Sequence, residues 1–123
     1  MKKESKFWQQ IKKNTPKIQW TRLESWASYG VPDLLGYADS CGFFMVELKI
    51  QNGNKIHFSP HQRMFHITRT NRNFILVQEA SSRSVKLYPS SAIHDLQLGV
   101  ARCLALDDWD HIQRLLLAAP LDA

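Results

Sequence analysis

Cysteine is scarce in this 123-residue chain: Cys41 and Cys103 are the only two. They form no Cys-x-x-Cys pair and have no cluster of His or Cys around them, so nothing points to a disulfide framework or a cysteine-ligated zinc site. Reduced thiols in a cytoplasmic protein are the expectation. Long apolar runs are also missing. No stretch reaches the length that spans a bilayer, and the charged N-terminal segment lacks the apolar core of a secretory signal. No membrane partner is expected. Internal repeats, low-complexity tracts and interdomain linkers are absent too. The expectation is one domain over residues 1–123, large enough for an ordinary core without metal or disulfide staples. A hydrophobic content of 44% argues against wholesale disorder.

Acidic residues are missing from one particular stretch. Residues 48–78 hold Lys49, Lys55, Arg63, Arg69 and Arg72 and no Asp or Glu. Residues 1–22 hold seven Lys or Arg against one Glu, whereas residues 90–123 hold five Asp against Arg102 and Arg114. The net charge is +5. Basic segments of this kind suit a surface that meets a phosphate backbone, although a solvated face has the same composition.

What is present is a short run of chemistry. Gly42 to Ile50 reads Gly-Phe-Phe-Met-Val-Glu-Leu-Lys-Ile, an apolar run with aromatic and branched residues that favours a strand. Alternation puts Phe44, Val46, Leu48 and Ile50 on one face and Phe43, Met45, Glu47 and Lys49 on the other. The second face begins apolar and ends charged, as a buried strand does on reaching a site. Upstream, Gly30-Val31-Pro32-Asp33 precedes a second short strand, Leu34 to Tyr37, and Asp39-Ser40-Cys41-Gly42 reads as the hairpin turn between the two. Pairing these strands brings Asp33 toward Glu47. Two carboxylates near one point suit Mg²⁺, which takes oxygen ligands, usually one or two carboxylates with water and substrate phosphate. The Leu48 carbonyl is a candidate further ligand. Lys49 would orient a water and offset phosphate charge.

Pro32-Asp33 followed by Glu47-Leu48-Lys49 resembles the signature of the PD-(D/E)xK nuclease superfamily. With Glu24 upstream and Ser59-Pro60-His61-Gln62 downstream, the pattern is similar to the virus-type replication-repair nucleases and to archaeal Holliday junction resolvases. The resemblance covers roughly residues 18 to 77. It implies an α/β (α+β), restriction-endonuclease-like αβββαβ core with a central mixed sheet flanked by helices. It further implies Asp33 and Glu47 as metal ligands, Glu24 as an additional acidic ligand to metal or water, Lys49 as the catalytic lysine, and Gln62 as an active-site helix residue. The expected cofactor is Mg²⁺, with Mn²⁺ substituting. The expected partner is DNA, branched or junction DNA in particular, bound by a homodimer as related resolvases are, in phage or microbial replication, recombination or repair. Arg22, Lys55, His61, Arg63, Arg69 and Arg72 are the candidate DNA contacts. Taken singly, Pro-Asp is an ordinary turn and Glu-x-Lys an ordinary strand edge; their order and flanks carry the weight. A nickase, flap nuclease or exonuclease of the same fold, or a DNA-binding protein without catalysis, are the alternatives.

Elsewhere, a first helix is expected over Ser5–Asn14, with Ser5 as its cap and Phe7, Trp8 and Ile11 as its stripe. A strand or loop follows from Lys17 to Trp26. Ser59 and Gln62 form a capping-box pattern for a helix to about Asn71, with Met64, Phe65, Ile67 and Thr68 on its buried side. His57, His61 and His66 lack the Cys or acid spacing of a zinc site and are assigned to the surface or to phosphate. Strands over Asn73–Glu79 and Val85–Tyr88 are expected next. A short helix through Leu96 follows, then a last helix capped by Asp107 or Asp108, carrying Trp109, Ile112, Leu115 and Leu116 and ended by Pro120.

Overall fold

The structure is a computed structural model, and it describes residues 3–23, 30–53 and 56–118. Helix α1 spans Lys3–Asn14 and buries Phe7, Trp8 and Ile11. Ser5 lies inside this helix and is not its cap, because the helix is already formed at Lys3. Lys12 and Lys13 occupy the last turn, where the helix dipole favours positive charge. Thr15 then turns the chain. Its hydroxyl donates to the Ile11 carbonyl at 2.6 Å and accepts from Trp20 Nε1 at 2.9 Å. That bond fixes the start of β1 (Gln19–Arg22).

Strands β2 (Leu34–Ala38) and β3 (Gly42–Gln51) form the expected hairpin, in register from Leu34↔Val46 to Ala38↔Gly42. A crossover through α2 (Pro60–Thr68) leads to β4 (Asn73–Glu79), which lies parallel to β3. Antiparallel β5 (Val85–Pro89) follows, then a 3₁₀ turn, α3 (Ile93–Leu98), β6 (Ala105–Leu106) and α4 (Trp109–Leu117). Among the described residues the sheet has six strands in the order β1-β2-β3-β4-β5-β6. It is mixed because only β3 and β4 run parallel. This is the αβββαβ order and the α+β class that the sequence implies. No helix among the described residues is long and apolar enough to cross a membrane.

Strand alternation divides the core in two. On one face α1 and α4 pack on Phe44, Val46, Leu48, Leu76 and Leu87. There Trp8, Trp20, Phe44 and Phe74 stand edge to face in sequence, with centroids 6.4, 5.6 and 6.3 Å apart. On the other face Ile56, Phe58, Ile75, Val77, Tyr88, Ile93 and Leu96 form a smaller cluster. Glu47 belongs to this second face, beneath α2.

Two further elements differ from expectation. Helix α2 stops at Thr68, not Asn71, because Asn73 Nδ2 takes the Arg69 carbonyl at 2.9 Å and the chain reverses through Arg72 at φ 52°. Its buried side is also different: Met64 and Ile67 are 60% and 49% exposed and Thr68 is exposed, whereas His66 is fully buried. Strand β6 was unforeseen, since two residues are too few to show an alternation. The last helix does start from Asp108, whose side chain accepts the His111 N–H at 3.0 Å; Pro120 lies outside the described residues.

Arg72 ties this last helix to the sheet. Its Nε donates to the Phe43 carbonyl at 3.0 Å, and its Nη1 and Nη2 donate to the carbonyls of Ala118 and Leu116 at 2.9 and 3.3 Å. Carbonyls at a helix C-terminus have no partner within the helix, so this guanidinium supplies one. Arg72→Ala should therefore lower the free energy of unfolding by about 1–2 kcal/mol. Urea denaturation measures this, and an unchanged midpoint with intact slope would contradict the tether.

Candidate active site

The site begins where a ladder ends. Pairing of β2 with β3 stops at Leu34↔Val46, so Asp33 follows at the position opposite Glu47. The Leu48 amide faces the β2 side beyond the last pair, and Asp33 Oδ2 accepts its hydrogen at 2.8 Å. A side chain thus replaces a strand carbonyl. In a strand the carbonyl of a residue points the same way as its amide, so the Leu48 carbonyl is directed to the Asp33 side. The Asp33 backbone is held in turn by the Leu23 N–H, 2.8 Å from its carbonyl.

Glu47 is 2% exposed and lies under the first turns of α2. That helix opens with a full capping box, Ser59 with Gln62. Gln62 Oε1 accepts from the Ser59 N–H at 2.9 Å and from Lys49 Nζ at 3.0 Å, and Gln62 Nε2 donates to Glu47 Oε2 at 3.3 Å. Cap and site residue are one side chain. Lys49 lies over the Phe58 ring, 4.7 Å from its centroid, a cation–π contact that steadies the ammonium. Gly30 explains the Gly-x-Pro-Asp turn. At φ 77° a Cβ there would lie 2.2 Å from the His61 carbonyl oxygen, so only glycine lets the turn lie against the start of α2.

One residue of this cluster escaped the sequence. His66, one turn beyond Gln62, is fully buried with Nε2 3.5 Å from Glu47 Oε1. Its Nδ1 is 3.1 Å from Ser90 Oγ. The i, i+4 spacing of Gln62 and His66 was the available signal.

Electrostatics follow from burial. Asp33 is pushed up to about 7, first by desolvation, then by the neighbouring Glu47; the Leu48 N–H and Lys49 oppose this. Glu47 is raised by desolvation, against the pull of Asp33 and Lys49. Two carboxylates this close do not both ionise readily, and the pair retains a proton near neutrality. His66 is pushed down to about 4, by burial and then by Lys49, and is neutral at pH 7.

This donor set fits a hard divalent cation. Two adjoining carboxylates lie on the side to which the Leu48 carbonyl is directed. An ion held there would take the place of the retained proton. Among the described residues no group of three or more His, Cys, Asp or Glu side chains is placed to hold a metal. Mg²⁺ requires fewer, completing its shell with water and phosphate.

The remaining candidates are scattered. Glu24 and Lys55 lie outside the described residues. Arg22 is exposed at the end of β1, and His61 and Arg63 are exposed on the first turn of α2. Arg69 lies over the Phe65 ring at 4.4 Å, and with Val31, His61 and Met64 it borders a shallow depression on the Asp33 side of α2. Arg72 is committed to the three carbonyls described above and is not gathered at the site.

No family model matches the sequence, and no curated protein matches it. The fold does match solved structures. The 1.6 Å structure of Hjc, a Holliday junction resolvase from the archaeal hyperthermophile Archaeoglobus fulgidus, aligns with a TM-score of 0.51. The alignment covers 72% of this chain and 73% of that one, at 10% sequence identity. At this identity the likeness is one of fold.

The raised Asp33 has a definite consequence for pH. Its contribution to stability is complete below the unfolded value near 4 and is lost as pH rises through 7. His66 acts oppositely: its contribution is complete above its ordinary 6.5 and is lost as pH falls toward 4. Between pH 6.5 and 8 the Asp33 effect dominates. The unfolding midpoint in EDTA should fall by about 2 °C across that interval, the His66 gain offsetting part of the Asp33 loss, and Mg²⁺ should restore it more at pH 8 than at pH 6.5. Mn²⁺ affinity, measured by calorimetry, should rise up to about tenfold per pH unit below 7 and level off above it. An affinity flat from pH 6 to 8 would sever the carboxylate pair from metal binding.

Proposed function

We propose that this chain is a Mg²⁺-dependent endodeoxyribonuclease of the PD-(D/E)xK type that hydrolyses phosphodiester bonds in branched DNA, four-way junctions above all. The reading rests on one observation. Asp33, Glu47, Lys49 and Gln62 meet at adjoining strand ends on a fold that aligns with a Holliday junction resolvase. The net charge of +5 suits a phosphate-rich substrate.

In this reading Asp33, Glu47 and the Leu48 carbonyl hold Mg²⁺, with Mn²⁺ as a substitute. The ion, when bound, lowers the pKa of a coordinated water and counters charge on the scissile phosphate. Lys49 orients the attacking water and carries positive charge toward the phosphate. Gln62 holds the ammonium and the Glu47 carboxylate in a fixed relation, so the lysine does not collapse onto the carboxylate. Glu24 is proposed as a further acidic ligand. His61, Arg63 and Arg69 border the same end of α2 and are proposed to receive the DNA backbone, with Arg22 and Lys55. Paired incisions across a junction need two copies of the site, so the active form is proposed to be a homodimer.

The test is cleavage of labelled four-way junction, flap, nicked, duplex and single-stranded DNA in Mg²⁺, Mn²⁺ or EDTA. Metal-dependent cutting is expected, greatest on the junction. Asp33→Ala and Lys49→Ala should each reduce the rate by about 10²–10³-fold or more while leaving the fold intact by circular dichroism. Preference for flaps or free ends would reassign the substrate within the nuclease class. DNA binding without cleavage by the folded dimer would instead support the non-catalytic reading.

A further inference from the structure

Glu47 Oε1 and His66 Nε2 are both buried, both lack any hydrogen-bond partner among the described residues, and face each other at 3.5 Å. A buried polar atom left unpaired is costly, and two that face each other are each other's remedy. We propose that His66 is a positioning residue for Glu47. Held by Ser90, its ring presents Nε2–H to Oε1 and so fixes which way the carboxylate turns toward Asp33. The inference rests on the metal-binding reading of Glu47 given above.

The proton inventory reduces the choice to two arrangements, of which the proposal requires the one in which Ser90 donates to Nδ1 rather than to the nearer His66 carbonyl. Ser90 Oγ carries one hydrogen and lies 3.1 Å from His66 Nδ1, 2.9 Å from the His66 carbonyl and 3.4 Å from the Arg69 carbonyl. If that hydrogen goes to Nδ1, a neutral ring carries its own on Nε2, facing Oε1. If it goes to a carbonyl, Nδ1 must donate to Oγ, and a bare Nε2 then faces a bare Oε1. Only the first arrangement satisfies both unpartnered atoms with a neutral imidazole. Shortening the contact by about 0.3–0.5 Å makes it an ordinary hydrogen bond. Gln62 Nε2 already holds the other oxygen, Oε2, at 3.3 Å. The carboxylate is then gripped from two successive turns of one helix. Its remaining lone pairs are directed away from α2, toward the end of β2. A ligand oriented in this way binds its ion more tightly, because it need not be ordered at the moment of binding.

Two substitutions separate positioning from packing. His66→Phe keeps a ring of similar size and removes the donor, whereas His66→Gln restores an N–H at about the position of Nε2. Free Mn²⁺ is followed by electron paramagnetic resonance, with unfolding in EDTA as a separate control on the fold. His66→Phe should weaken Mn²⁺ binding about tenfold or more, and His66→Gln should recover most of the loss. Wild-type affinity in His66→Phe, or equal loss in both variants, would overturn the proposal. Because His66→Phe could fail to fold, ¹⁵N NMR of the wild-type ring is an independent reading. A protonated Nε2 beside an unprotonated Nδ1 supports the proposal, and the opposite tautomer refutes it. Should wild type itself bind no Mn²⁺ at Asp33 and Glu47, the proposed function falls, and the tautomer alone decides the contact between His66 and Glu47.

Discussion

A carboxylate buried in the middle of a sheet is the constraint from which the rest of this structure can be derived. Glu47 is 2% exposed on a strand whose other face is wholly apolar. Desolvating a carboxylate costs several kcal/mol unless polar partners replace the lost water. Each element around Glu47 answers that cost. The start of β2 brings Asp33, the first turn of α2 brings Gln62, and the second brings His66. Lys49, two residues along the same strand and on the same face, provides the countercharge. Helix α2 therefore turns a polar underside to the sheet. Met64 and Ile67 face outward for this reason, since the inner positions at that turn are taken by side chains that must bond.

Topology makes this convergence possible. Because β3 and β4 are parallel, the chain must cross over between them, and α2 is that crossover, lying above Glu47. On the other flank β2 is antiparallel to β3 and its pairing ends one residue short of Glu47, so Asp33 is free to serve the Leu48 amide with its side chain. A longer β2 ladder would have covered that amide and the Leu48 carbonyl with backbone. The larger core, with α1 and α4, lies on the opposite face and holds the sheet without entering the site. Stability and chemistry are thus divided between the two sides of one sheet.

Much of this was legible in the sequence because strand alternation and turn chemistry are local. The β2–β3 hairpin, the faces of β3 and the capping box follow from spacing; the hairpin allows Asp33 to approach Glu47, and the register that achieves it is set by the fold. What was not legible depends on tertiary partners. Met64, Ile67 and Thr68 read as the inner side of α2 because apolar periodicity assumes an apolar neighbour, and here the neighbour is a carboxylate. His66 was assigned to the surface or to phosphate for the same reason: a lone histidine shows no reason to be buried until Glu47 is placed beneath it. Arg72 read as one more member of a basic run, and only the fold shows the helix carbonyls it reaches. Strand β6 exists through its pairing with Lys86 and Leu87, not through any preference of its own. Glu24 and Lys55 lie beyond what the structure describes, so the sequence argument for them stands alone.

The way α2 is capped also limits how the site can handle an anion. Helix N-termini often bind phosphate through free amides and the helix dipole. Here Pro60 has no N–H, the Gln62 N–H is taken by Ser59 Oγ at 3.2 Å, and the Ser59 N–H is taken by Gln62 Oε1. Of the first-turn amides, only that of His61 lies outside this cap. The glutamine that closes the cap is also the one that grips Lys49 and Glu47, so freeing the turn for an anion would loosen the site. Within the site, the positive charge facing the two carboxylates is that of Lys49. The arginines on the outer surface of α2 add to the field from outside. An arrangement of this kind keeps the exposed basic side chains of α2 apart from the buried polar cluster at the strand ends, and it leaves that cluster very few groups.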